Sequence, residues 1–100
     1  MNETQLQEFL HQIGVADHSE SAKLAFGAVQ ALHKMTTEDV EDGDISCHHK
    51  GNKIFIKLES ECFCMRSPYL QDFLSCIKDA ERLSITKNND QFIMVIEFSV

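Results

Sequence analysis

Two seven-residue runs, DISCHHK (44–50) and KIFIKLE (53–59), flank Gly51-Asn52. Gly-Asn is a two-residue hairpin loop, and such a loop fixes the register of the strands that it joins. Pairing Lys50 with Lys53 sets Ile45 opposite Leu58, Cys47 opposite Ile56 and His49 opposite Ile54. All six side chains then share one face, because strand side chains alternate with a period of two. Slipping the register by one residue would turn the second strand's apolar set to the other face. Turn chemistry and apolar alternation are separate signals, and here they specify the same hairpin. The reading carries the second strand on through ECFCM to about residue 64, with a bulge.

A second hairpin follows from RLSIT (82–86) and QFIMVIEFSV (91–100), with KNND between them. With two residues in its loop, Leu83 and Ile85 share a face with Phe92, Met94, Ile96 and Phe98; three residues would turn the other face of the last strand inward. Ile93 and Val95 make that strand apolar on both faces, which marks it as central. Between the hairpins, Ser67-Pro68 is a cap followed by a proline at the first helical position. Leu70, Phe73, Leu74, Ile77 and Ala80 then give a helical stripe, so a crossover helix is predicted over 68–80.

Two helices precede the hairpins. Asn2 and Gln5 form an N-terminal capping pattern, and Leu6, Phe9, Leu10 and Ile13 recur at helical spacing, predicting a helix over 3–13. Gly14 stands where a left-handed C-terminal residue belongs, with Val15 placed to pack back on Leu10. Asp17 and Glu20 form a second capping box, which predicts a helix over 18–35. That helix carries two stripes: Ala22, Ala25, Phe26, Val29 and Leu32, and Leu24, Ala28, Ala31 and Met35. One stripe suffices to cover a sheet. The second is expected to meet the first helix or another subunit, its alanines and Gly27 permitting close approach. TTEDVEDG reads either as one further helical turn, with Thr36 or Thr37 as cap and Gly43 as stop, or as irregular loop.

The expected fold is therefore α+β: two helices, then β-β-α-β-β, with strands over 44–50, 53–64, 82–87 and 91–99. The sheet is antiparallel, four-stranded and ordered 1-2-4-3, with the helices on one face. One hundred residues make one domain, residues 1–100, able to bury roughly 60–70% of its unfolded surface without a disulfide or metal. No stretch reaches the ~20 apolar residues of a membrane span, and MNETQLQEFL lacks the basic and apolar regions of a signal peptide. The expected location is the cytoplasm, where Cys47, Cys62, Cys64 and Cys76 would be reduced.

The net charge of −7 lies wholly in the first 44 residues, which hold two bases against nine acids; residues 45–100 balance at seven of each. This acidity argues against general binding to nucleic-acid phosphates. Five of the acids crowd into Glu38–Asp44, directly before Cys47, His48 and His49. Placing Gly43 at the sixth position of a calcium loop puts Val40 at the third and His49 at the twelfth, where oxygen ligands are required, so an EF-hand is excluded. For zinc, the candidates are Cys47, His49, Cys62 and Cys64. Cys62 and Cys64 would share a strand face ~7 Å apart. The hairpin register sets them opposite Glu41 and Asp39, away from Cys47 and His49, while His48 and His49 point to opposite faces. The four cysteines therefore read as small buried side chains, with no cofactor expected. There is no phosphate-binding glycine loop, no dinucleotide fingerprint and no nucleophile elbow, and no enzymatic activity is expected.

The same register turns His48, Lys50, Lys53, Phe55 and Lys57 to the outer face of the sheet. Ile93 and Val95 join them there if the second loop has two residues. A basic and aromatic face of this kind is read either as edge protection by lysines or as a docking site for an acidic partner or a short nucleic-acid segment, and the apolar Ile93 and Val95 favour a protein contact. The leading expectation is a non-catalytic interaction protein that binds another protein and forms homo-oligomers. A ligand- or metal-binding domain using the cysteines and His49 is the first alternative, and a regulator using the acidic run as a mimic of nucleic-acid charge is the second. In being small, acidic and mixed α/β, the chain resembles bacterial secretion chaperones, with which it shares no motif; the resemblance implies an adaptor that dimerises.

Overall fold

The computed structural model describes residues 3–15, 19–39, 44–60 and 69–99. Three helices, α1 (Glu3–Ile13), α2 (Glu20–Asp39) and α3 (Tyr69–Ile77), accompany four strands, β1 (Asp44–Lys50), β2 (Lys53–Ser60), β3 (Arg82–Asn88) and β4 (Gln91–Ser99). The strands form one antiparallel sheet in the expected order, β1-β2-β4-β3, with the doubly apolar β4 in a central position. No described helix is long and apolar enough to cross a membrane.

Both turns hold the expected registers. Lys50 pairs with Lys53 across Gly51-Asn52, and Asn88 pairs with Gln91 across Asn89-Asp90. The first residue of each loop takes a positive φ, 64° at Gly51 and 57° at Asn89. Glycine and asparagine tolerate that conformation better than other residues, and it matches the twist of the strands they join. With two residues in the second loop, the inner face comprises Ile54, Ile56 and Leu58 of β2 and Met94, Ile96 and Phe98 of β4, all buried. Each such side chain contributes roughly 1.5–3 kcal/mol by leaving water.

α1 ends as its sequence dictates. Gly14 adopts φ 77°, its N–H donates to the His11 carbonyl at 3.2 Å, and the Val15 N–H donates to the Leu10 carbonyl at 2.8 Å. These two bonds are the Schellman pair, and the burial of Leu10 and Val15 supplies the accompanying apolar contact. The start of α2 differs from expectation. The Ala22 N–H donates to the Ser19 hydroxyl at 3.1 Å, so Ser19 is the cap; Asp17, assigned that part from sequence, lies outside the described residues. Nor does α2 stop at residue 35. It runs to Asp39, so Thr36 and Thr37 lie within the helix and not at the start of a further one. Asn2, residues 61–64 of the longer second strand and the Ser67-Pro68 cap also lie outside the described residues.

α2 lies over β1, β2 and β4 and touches both other helices, most extensively α3. Ala22, Ala25 and Ala28 are wholly buried and Ala31 nearly so, alongside Phe26, Val29 and Leu32. These alanines let backbones approach closely. Ala28 and Ala31 of the second stripe are thus buried within the chain and Leu24 is partly buried, with α3 joining α1 as a neighbour of α2. Lys34 adds a polar tie, its Nζ lying 5.6 Å from the centre of the Tyr69 ring on α3.

Candidate functional site

All seven residues assigned to the outer face lie on it. The rows run Lys50–Lys53–Ser99, His48–Phe55–Glu97–Arg82, Ser46–Lys57–Val95–Ser84 and, at the far end, Glu59–Ile93–Thr86. Phe55, Val95 and Ile93 form an apolar diagonal across the two central strands, each partly exposed. The His48 ring stacks on Phe55, with centroids 5.1 Å apart and planes 16° from parallel. Stacking on an exposed imidazole widens the flat surface offered around Phe55.

The electrostatics of this face differ from a basic patch. Lys57 Nζ lies 2.6 Å from Glu59, Lys53 lies 3.6 Å from Glu81 and 3.8 Å from Glu97, and Arg82 lies 3.9 Å from Glu97. Sequence reading missed these acids and Arg82, although alternation along β2 and β4 already places Glu59 and Glu97 with Lys57 and Phe55. Glu81 also accepts a hydrogen bond from the Ser99 hydroxyl. That bond and the Lys53 ammonium hold its carboxyl below the usual glutamate range. The result is an apolar centre with a rim of matched charges.

Two of the four metal candidates lie among the described residues. Cys47 and His49 face inward on β1, opposite Ile56 and Ile54, while Cys62 and Cys64 lie outside the described residues. Among the described residues, no three His, Cys, Asp or Glu side chains converge on a point that an ion could occupy. Burial pushes the Cys47 thiol up to about 12, and burial with the nearby Asp72 carboxylate raises Cys76. Both thiols are therefore protonated at neutral pH, which removes them as ready nucleophiles.

Sequence reading also missed a cleft of about 410 Å³ where α1, α2 and β1 meet. Gln5, Phe9, Phe26, Gln30, His33 and Cys47 are among its lining residues. Phe9 and Phe26 pack with their centroids 5.1 Å apart. Its walls come from three elements far apart in sequence, so no local pattern announces it. No family model, curated protein or solved structure matches the chain.

Proposed function

We propose that this protein is a non-catalytic cytoplasmic interaction module that docks a protein partner on the outer face of its sheet and also self-associates. The observation that carries the reading is the apolar diagonal Phe55–Val95–Ile93, framed by paired lysine, arginine and glutamate side chains. Protein interfaces have this anatomy of apolar centre and polar rim. Because carboxylates offset the lysines, the face is poorly suited to a phosphate backbone.

The test compares the wild type with Phe55→Asp in affinity capture from the native host. Phe55→Asp places a charge at the apolar centre, and the captured partner is expected to be lost while the thermal melt stays within a few degrees. Undiminished capture by a folded Phe55→Asp protein refutes the reading. A second reading is a ligand- or metal-binding domain using the cysteines and His49, and the cleft beside Cys47 favours its small-ligand version. Elemental analysis of folded protein purified without chelator removes the metal version if it finds none.

A further inference from the structure

Every residue of β3 is exposed, in contrast to the alternating burial of β2 and β4. Among the described residues the strand forms an edge of the sheet, and no described helix packs extensively along it. Leu83 and Ile85 pair with Ile96 and Met94, which are buried, yet they remain 46% and 52% exposed. The inner apolar face therefore continues one strand beyond its helical cover. An open edge with apolar side chains is a template for another strand, and proteins ordinarily guard such edges with proline, short strands or inward-pointing charges. Lys87 is the one inward-facing charge on β3.

Backbone parity says which groups are free. In a two-residue hairpin, the residues flanking the loop exchange both hydrogen bonds, and bonded pairs then alternate along the ladder. Asn88–Gln91, Thr86–Ile93, Ser84–Val95 and Arg82–Glu97 are thus the bonded pairs. The Glu81 N–H also donates to the Glu97 carbonyl, at 2.8 Å, as a bulge beside a bonded Arg82–Glu97 pair requires. The N–H and C=O groups of Leu83, Ile85 and Lys87 consequently point away from β4, along the open edge.

We infer that β3 pairs antiparallel with β3 of a second copy about a two-fold axis at Ile85, making a continuous eight-stranded sheet. This develops the self-association part of the reading above. The outward residues Leu83, Ile85 and Lys87 are symmetric about Ile85, so self-pairing in this register can satisfy all of their backbone groups. Ile85 meets its own copy, and each Leu83 lies against the aliphatic stem of the other copy's Lys87. Ser84 faces Thr86, a favourable hydroxyl pair. The charges fit as well. The two bases of β3 stand at opposite ends and face Asn88 and Leu83, never each other. The end that holds Glu81 and Arg82 lies alongside the end that holds Lys87 and Asp90, so acids and bases are interleaved. The contact is narrow, which sets the expected dissociation constant in the micromolar range at about 1–100 μM.

Sedimentation velocity from about 1 to 500 μM, a range chosen to span that constant, is expected to show a shift from the 11.4 kDa chain to twice that mass. Ile85→Pro deletes an N–H that serves only the open edge, and proline is tolerated there because the β3–β4 ladder does not use it. It is expected to stay folded and to weaken the dimer at least about tenfold. As a second readout, the amides of Leu83, Ile85 and Lys87 in the wild type are expected to gain hydrogen-exchange protection as concentration rises. Strictly monomeric wild-type protein overturns the inference. So does folded Ile85→Pro protein that associates as before, or edge amides whose exchange ignores concentration. Phe55→Asp is expected to leave this dimer intact, so the outer-face reading and the edge pairing fail separately.

Discussion

Cys47 illustrates how burial sets reactivity at a single residue. Its thiol titrates near 12 instead of near 9, because burial disfavours the thiolate. A group whose folded value is raised contributes stability that is full below its unfolded value and is lost as pH rises through the folded one. Stability is thus expected to hold to about pH 9 and to fall above it. Alkylation at pH 8, followed by mass spectrometry of the Cys47 peptide, is expected to run roughly 10–100-fold slower in native than in urea-unfolded protein, the scarcer thiolate being partly offset by its greater nucleophilicity. Equal rates would show the thiol to be open to water. Glu81 is the opposite case. Ser99 and Lys53 favour its charged form, so its contribution is present above the ordinary glutamate value and lost as pH falls through the lowered one. A carboxyl NMR titration is expected to give a midpoint below that of an unperturbed glutamate, and Ser99→Ala is expected to move it back up.

Elements were legible wherever the signal was local. Gly14 and Val15 define the end of α1 because a Schellman motif is written in adjacent residues. Gly14→Ala tests the cause directly. A Cβ built there meets nothing within 4 Å, so the cost is that of the φ 77° backbone alone, about 1–2 kcal/mol in urea unfolding. The Gly51-Asn52 turn and the period-two pattern gave the register of β1 and β2 residue by residue. The bounds of α2 were less accessible. Asp17 and Ser19 are both good caps, and only the Ala22 N–H bonding to Ser19 decides between them. Ser19→Ala is expected to cost about 1 kcal/mol by the same measurement. Continuation through Met35 to Asp39 was obscured because threonine and aspartate have modest helix propensity. The matched charges of the outer face were legible in principle, since alternation puts Glu59 and Glu97 there. The cleft between α1, α2 and β1 was not, because its walls meet only through tertiary packing.

At the scale of the molecule, strand order could be read from β4, but helical cover could not. Ile85 and Ile96 have the same standing in the sequence: each is an isoleucine on the inner face of an amphipathic strand. In the fold, Ile96 lies at the centre of the sheet and is wholly buried, whereas Ile85 lies one strand outside the helices and is half exposed. The difference arises from where α2 crosses the sheet, over β1, β2 and β4, and no local pattern encodes that placement. Two matched truncations measure its energetic consequence. Ile96→Ala removes fully buried methylenes and leaves a cavity, with an expected cost of about 2–5 kcal/mol. Ile85→Ala removes atoms already half in water and is expected to cost less than about 1 kcal/mol. Both belong in urea unfolding at low micromolar concentration or below, where pairing through β3 contributes little. Raising the concentration would then separate the two positions differently. The penalty at Ile96 should stay constant, whereas the penalty at Ile85 should grow as the edge becomes buried, since association stabilises only the folded chain that can associate. A penalty at Ile85 equal to that at Ile96 in dilute protein would mean that β3 is covered within the single chain.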